Sequence, residues 1–195
     1  PPFDFIVNPY ISLDIDIRHY LHILKRFVWA NRLFTGISFP ISDSPSDKRY
    51  FLGGNDNWLF YDLNRNEYYR NIAYTIHSEF VTPLRGHKYL DITGTRTVLL
   101  NTEFRFPFIR DISLAWPLPL RIQYVNGAVF FDAGNAWDKG TKNYGLPLPE
   151  KLYGGFGFGM RANLGIFVLR YDRGWPTDWL KIGNPINYFS LGAEF

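Results

Sequence analysis

The chain has 195 residues, a formal net charge of +3 and no cysteine. The lack of cysteine excludes thiol chemistry, thiolate metal sites and a disulfide framework, and the small, dispersed charge excludes a nucleic-acid-binding surface. No apolar run approaches the roughly 18 residues that a spanning helix needs. Spanning strands are not excluded, because their lipid-facing and lumen-facing residues alternate and their mean hydropathy stays moderate.

Aromatic residues are abundant, with 13 Tyr, 6 Trp and 18 Phe. Such content is typical of the interfacial belts of a membrane barrel, where an apolar ring and a polar tip are both satisfied. It is equally typical of a large aromatic core in a soluble β-sandwich. Composition alone therefore leaves both classes open.

Two-residue alternation predicts an amphipathic strand near the start of the chain. One face is apolar and the other polar: Ile11, Leu13, Ile15 and Ile17 against Ser12, Asp14, Asp16 and Arg18. A second strand is predicted over about residues 25–39, and the short link at 21–24 predicts that the two strands form an antiparallel hairpin.

A long loop is predicted over residues 40–94, where the alternation fails and Ser, Pro, Asp, Asn and Gly dominate. A loop of this length is uncommon in a compact domain and is usually functional. Because it carries aromatic residues of its own, we expect it to be packed and partly ordered, with a helical or irregular stretch near 68–80.

Alternation resumes at about residue 98, with Glu103 on the face opposite the aromatic residues. Pro107, with Pro117 and Pro119, predicts the following turn. A strand over about 121–137 then brings Asp132 to its far end, before a polar loop.

Three more strands are predicted, over about 152–163, 165–172 and 187–195. In the first, Gly155, Gly157 and Gly159 share one face, which leaves room for a loop to pack closely there. The total is about seven strands, with an eighth conceivable at 3–7. A closed barrel of eight strands would have little room for the long loop, so we interpret the chain as a fragment of a wider barrel.

An ordered series of motifs resembles the C-terminal half of the BamA/TamA family of bacterial outer-membrane surface antigens. The resemblance covers about residues 10–195 and ends on the aromatic Phe195. Its motifs are Tyr50-Phe51-Leu52-Gly53-Gly54, Leu84-Arg85-Gly86-His87, Asn101-Thr102-Glu103-Phe104-Arg105-Phe106-Pro107 and Phe130-Phe131-Asp132-Ala133-Gly134-Asn135-Ala136-Trp137.

The resemblance implies an all-β, antiparallel transmembrane barrel of sixteen strands, of which residues 1–195 supply the C-terminal part as one domain without a periplasmic POTRA domain. It implies that the loop at 40–94 is extracellular and folds into the lumen. There the tetrad Leu84-Arg85-Gly86-His87 stands for the family's Val-Arg-Gly-Phe/Tyr, with His87 in place of the aromatic residue. By the same resemblance, Arg85 pairs with Glu103 and Asp132 on the barrel wall.

The resemblance also implies that the final strand forms one side of a lateral seam through which client barrels are inserted. A glycine-bearing, short strand can supply such a weak seam and can template an incoming edge. The seam residues are Phe189, Leu191, Gly192 and Phe195.

The function implied is non-enzymatic assembly, insertion or translocation of proteins in the bacterial outer membrane, with no cofactor. The expected partners are outer-membrane lipid, client β-barrel proteins, accessory envelope subunits and the remaining barrel strands. The alternatives are a passive porin-like channel gated by the long loop and a soluble aromatic-rich β-domain that binds a ligand. No metal site is expected, because His19 and His22 have no third ligand nearby.

Overall fold

The computed structural model describes residues 9–41, 48–56, 59, 77–114, 120–138, 149, 151–164 and 167–192. All regular structure in these residues is β-strand, as the alternating sequence predicts. The strands are β1 (Tyr10–Ile23), β2 (Phe27–Pro40), β3 (Tyr50–Leu52), β4 (Glu79–Val81), β5 (Ile92–Gly94), β6 (Arg96–Leu114), β7 (Leu120–Trp137), β8 (Tyr153–Asn163), β9 (Val168–Thr177) and β10 (Ile186–Gly192).

Seven strands form one antiparallel sheet in the order β1-β2-β6-β7-β8-β9-β10. The predicted all-β fold with seven antiparallel strands is therefore confirmed. The sheet is open, because β1 and β10 are its two edges within the described residues. None of the described residues forms a helix long and apolar enough to cross a membrane.

The large sheet has one apolar and one polar face, as the two-residue period requires. The apolar face is exposed along its length; its large side chains include Ile11, Leu13, Ile15, Ile17, Leu33, Val129, Phe158, Leu169 and Leu191. The polar face is covered by the segments at 48–56 and 77–94. Large apolar side chains exposed over so many strands exceed what a soluble monomer tolerates, which favours a lipid-facing surface.

A small second sheet lies within the segment between β2 and β6, in the order β4-β3-β5. Its central strand packs on the polar face of the large sheet, where Tyr50 and Leu52 contact Phe34 and Leu99. This cluster is the main core of the described part of the chain, and it also includes Val81, Leu84 and Ala136. The segment is thus packed, in line with the expectation for the long loop.

Three local expectations concern Pro107, the stretch near 68–80 and residues 3–7. The turn predicted at Pro107 is wrong for that residue, because β6 continues to Leu114 with a register shift between Pro107 and Ile109, whereas Pro117 and Pro119 lie outside the described residues. The described end of the stretch predicted as helical or irregular is strand β4, whereas residues 60–76 lie outside the described residues. The strand considered at 3–7 also lies outside them.

Candidate functional site

Arg85 is buried against the polar face of the large sheet, with 2% of its surface exposed. Its Nε and Nη2 donate to the two carboxylate oxygens of Asp132, at 2.7 and 2.9 Å, and its Nη1 donates to Glu103 Oε2 at 2.6 Å. Burial by itself lowers the pKa of Arg85, but Asp132 and Glu103 outweigh this effect and raise the pKa, so the guanidinium stays charged.

The strand register places the two carboxylates side by side. Asn101 on β6 is opposite Asp132 on β7, and Glu103 is opposite Phe130. The guanidinium carbon of Arg85 lies 3.5 Å from the centroid of the Phe130 ring, within the range of a cation–π contact. Asn101 Nδ2 donates to Asp132 Oδ1 at 2.7 Å, which fixes the carboxylate plane. A planar, forked cation suits this arrangement, and a lysine would satisfy only part of it.

Glycines let the Arg85–Gly86 peptide lie directly on the sheet. A Cβ at Gly155 on β8 would overlap the Arg85 carbonyl oxygen, and a Cβ at Gly174 on β9 would lie 2.7 Å from the Gly86 nitrogen. Gly86 itself has a φ of +96°, and a Cβ there would lie 2.7 Å from the nitrogen of Pro176. The aligned glycines were expected to let a loop pack closely on the sheet. The Arg85–Gly86 peptide is the part of the loop that packs there, against Gly155 and Gly174.

The other two members of the tetrad hold its ends. Leu84 is fully buried in the core and exchanges backbone hydrogen bonds with Gly54, at 3.0 and 3.2 Å. His87 Nε2 donates to the Gly154 carbonyl oxygen at 2.8 Å, and its ring packs edge-on against Tyr153. Burial lowers the pKa of His87, although the hydrogen bond to Gly154 opposes the shift. His87 thus makes both a ring contact with Tyr153 and a hydrogen bond to Gly154.

Sequence reasoning missed the extension of this ion network onto β8 and β9. Arg161 donates to Asp172 Oδ1 at 2.9 Å and to Glu103 Oε2 at 3.0 Å, and Arg105 Nε donates to Glu103 Oε1 at 2.7 Å. With Arg85 and Asp132, the network contains three guanidinium groups and three carboxylates. The sequence did contain a signal for this network, because charged residues lie on the same strand face as Gly155, Gly157 and Gly159.

A second connection that sequence reasoning missed runs from the tetrad to the final strand. The fully buried Tyr188 of β10 accepts a hydrogen bond from the Gly86 nitrogen at 2.8 Å and donates one to the His87 carbonyl oxygen at 2.7 Å. The alternation of β10 puts Tyr188 on the polar face. No sequence signal marks this tyrosine among the thirteen in the chain.

The predicted seam residues are on the edge strand of the large sheet. Phe189 and Leu191 point to the apolar face and are exposed, whereas Gly192 is the last described residue of the strand. Phe195 lies outside the described residues. The structure therefore separates the predicted residues into a buried group around Arg85 and an exposed group on β10, with Tyr188 between them.

A further ion cluster, also missed from the sequence, anchors the start of the same segment to β1. Lys48 is buried, and its Nζ lies 2.6 Å from Asp14 Oδ2 and 2.8 Å from Glu79 Oε2. The Tyr50 hydroxyl donates to the other oxygen of Asp14. The segment is thus held at both ends by buried cations.

The chemistry available at these contacts is non-covalent: ion pairing, hydrogen bonding and release. In the described ranges, no group of three or more His, Cys, Asp or Glu side chains could hold a metal ion. A cavity of about 310 Å³ adjoins Arg85 and is also lined by Arg105, Arg161, Arg170 and Asp56.

A family model described as the Omp85 superfamily domain matches residues 7–195. A comparison with curated proteins found no match. Omp85 proteins are bacterial outer-membrane β-barrels that insert or translocate proteins without enzymatic chemistry, working with client barrels and accessory subunits. The open, antiparallel sheet of seven strands fits part of such a barrel. Since the match covers almost its entire length, the chain belongs to the Omp85 superfamily.

Proposed function

We propose that this chain is the C-terminal part of an integral outer-membrane barrel of sixteen strands that inserts or translocates other proteins. The barrel works through a lateral seam at β10. The segment at 40–94 lies in the lumen, where Arg85 anchors it to Glu103 and Asp132. Membership of the superfamily supports the general activity, and the two-faced sheet supports an apolar side towards lipid and a polar side towards the lumen.

The observation that carries this proposal is the continuous connection from the buried tetrad to the edge strand. Arg85 binds β6 and β7, and the next two residues bind Tyr188 of β10. A loop with only a structural role could bind the wall anywhere. One that binds the edge strand can change the position of that strand when it moves.

The lengths of the strands support a weak seam at β10. Within the described residues this strand has 7 residues and its partner β9 has 10, whereas β6 and β7 have 19 and 18. Fewer ladder hydrogen bonds hold a short edge strand in place. Because unpaired backbone groups are not tolerated in lipid, such an edge accepts an incoming strand by β-augmentation.

The proposed partners follow from the surfaces. Outer-membrane lipid covers the apolar face, client β-barrel proteins pair with β10, and the remaining barrel strands continue from β1. Accessory envelope subunits are proposed on the basis of the family.

Cysteine crosslinking in the intact outer membrane tests the seam. A Leu191→Cys variant of the whole protein is expected to crosslink to newly made outer-membrane proteins. Leu169→Cys is the matched control, because Leu169 is the register partner of Leu191 on β9, with similar exposure, but lies one strand away from the edge. Crosslinks from Leu169→Cys equal to those from Leu191→Cys, or crosslinks only to the barrel's own first strand, would contradict the proposal.

A passive, porin-like channel gated by the loop is the second candidate. The cavity beside Arg85, lined by four arginines, is the observation that favours it. Stable ion conductance by the purified protein without any client, together with the absence of client crosslinks at Leu191→Cys, would support the channel.

A further inference from the structure

The segment that follows β3 reaches the outer edge of the final strand. The backbone nitrogen of Leu59 donates a hydrogen bond to the carbonyl oxygen of Phe189 at 2.8 Å. Backbone carbonyls of a strand point along the sheet, towards one neighbour or the other. Since β9 occupies one side of β10 and, in the described part of the chain, the sheet order ends at β10, we assign this bond to the outer edge.

The contacts made on the way to Leu59 lead towards this edge. Gly54 pairs with Leu84 beside the tetrad, and Asn55 Nδ2 then donates to Asp172 Oδ2 on β9 at 3.0 Å. Both partners of the second bond are buried, Asn55 at 6% and Asp172 at 1% exposure. The segment therefore crosses the polar face in the direction of β10 and is held by a buried polar contact one strand before the edge.

The polar face of β10 is held by the same long segment. Tyr188 binds the Gly86 nitrogen and the His87 carbonyl oxygen, and it precedes Phe189 in the chain. Two neighbouring residues of the final strand are thus bound at two different sites, one through a side chain on the polar face and one through the backbone at the edge.

Given the seam of the proposed function, on which this inference rests, we infer that Asn55 and Leu59 form a clasp, in which Leu59 occupies the outer edge of β10 at Phe189. A strand that pairs with β10 uses the same backbone groups on the same edge. The clasp and an incoming strand therefore exclude each other at this position. The loop competes with the client for the seam, and the seam becomes available only when Leu59 leaves.

Crosslinking of the whole protein in the outer membrane tests whether the clasp exists. In a Leu59→Cys/Phe189→Cys variant, a short bis-maleimide is expected to join the two positions. The matched control is Leu180→Cys/Phe189→Cys, because Leu180 is 91% exposed on the turn between β9 and β10. No crosslink between positions 59 and 189, with client crosslinks at Leu191→Cys retained, would overturn the clasp and leave the proposed function standing.

Substitution of Leu59 tests whether the clasp competes with clients. Leu59→Pro removes the donating N–H, whereas Leu59→Ala keeps it. Client crosslinks at Leu191→Cys are expected to rise about five-fold in the proline variant, the change in equilibrium that the loss of one hydrogen bond produces, and to stay unchanged in the alanine variant. Equal client crosslinking in the two variants would overturn the inference. Client crosslinks absent from every variant would overturn the proposed function and the inference with it.

Discussion

Arg85 and Asp132 are joined by three hydrogen bonds, one from the backbone nitrogen of Arg85 at 3.0 Å and two from its guanidinium at 2.7 and 2.9 Å. The single carboxylate therefore fixes both the main chain and the side chain of the tetrad. Asp132 has no exposed surface. Charge-assisted bonds of this kind are about twice as strong as neutral ones, so the contact is the main anchor of the segment.

Replacing Arg85 by glutamine is expected to release this segment from the sheet. Asp132 would then be buried without its cation, at a cost of about 3 to 5 kcal/mol, whereas Glu103 would keep Arg105 and Arg161. Hydrogen exchange of the amides at 77–91 in the purified whole protein measures the release as faster exchange. Arg49→Gln is the control, because Arg49 lies in the same segment but pairs with the exposed Asp138, and it should change exchange little. Unchanged exchange in the Arg85 variant would show that packing alone holds the segment.

An alanine at position 155 is expected to displace the Arg85–Gly86 peptide from β8, because its Cβ would occupy the place of the Arg85 carbonyl oxygen. Overpacking of this kind costs about 1 to 3 kcal/mol. Limited proteolysis of the segment in the purified protein reports the displacement. In Gly154→Ala the added methyl group meets the Thr177 side chain instead, so cleavage should remain close to that of the unmodified protein. Equal cleavage of the two variants would argue against the close approach.

The Tyr188→Phe variant is expected to uncouple the tetrad from β10 while keeping the ring in place. The buried Gly86 nitrogen would lose its acceptor, at a cost of about 1 to 3 kcal/mol. Faster hydrogen exchange should appear in β10 and at 84–87 together, whereas Tyr171→Phe, which removes an exposed hydroxyl bonded to Asn187, should affect neither. Faster exchange at 84–87 alone would indicate that Tyr188 does not transmit the change to β10.

The parts of the site that follow a period or a motif could be predicted from the sequence. Alternation puts Glu103 and Asp132 on one face of adjacent strands, and the resemblance supplies Arg85 as their partner. The pairing of Tyr188 with the tetrad could not be predicted, because it joins residues about a hundred positions apart and depends on how deeply the segment is placed. The contacts of Lys48 with Asp14 and Glu79 could not be predicted either, because they depend on tertiary packing and not on a local sequence pattern.

At Pro107 a local sequence rule, that proline ends a strand, predicts the wrong structure. A proline usually ends a ladder because it lacks the N–H donor. In β6 the register with β7 shifts between Pro107 and Ile109, and the strand extends to Leu114. The pairing of β6 with β7 continues on both sides of the register shift and outweighs the preference of proline for a strand end. This pairing involves a second strand, so the sequence around Pro107 alone does not reveal it.

Acidification is expected to loosen the tetrad through His87. Burial lowers the pKa of this side chain in the docked segment, so the docked state binds its proton more weakly than the released state does. Docking is therefore complete above the ordinary histidine pKa of about 6.5 and weakens as the pH falls from there through the lower pKa of the docked state. Hydrogen exchange at 84–91, corrected for the intrinsic effect of pH, should become faster over this range. His87→Phe keeps the ring against Tyr153 and should remove the pH dependence, whereas His19→Asn on the exposed face of β1 should retain it. A pH dependence that persists in His87→Phe would assign the effect to another group.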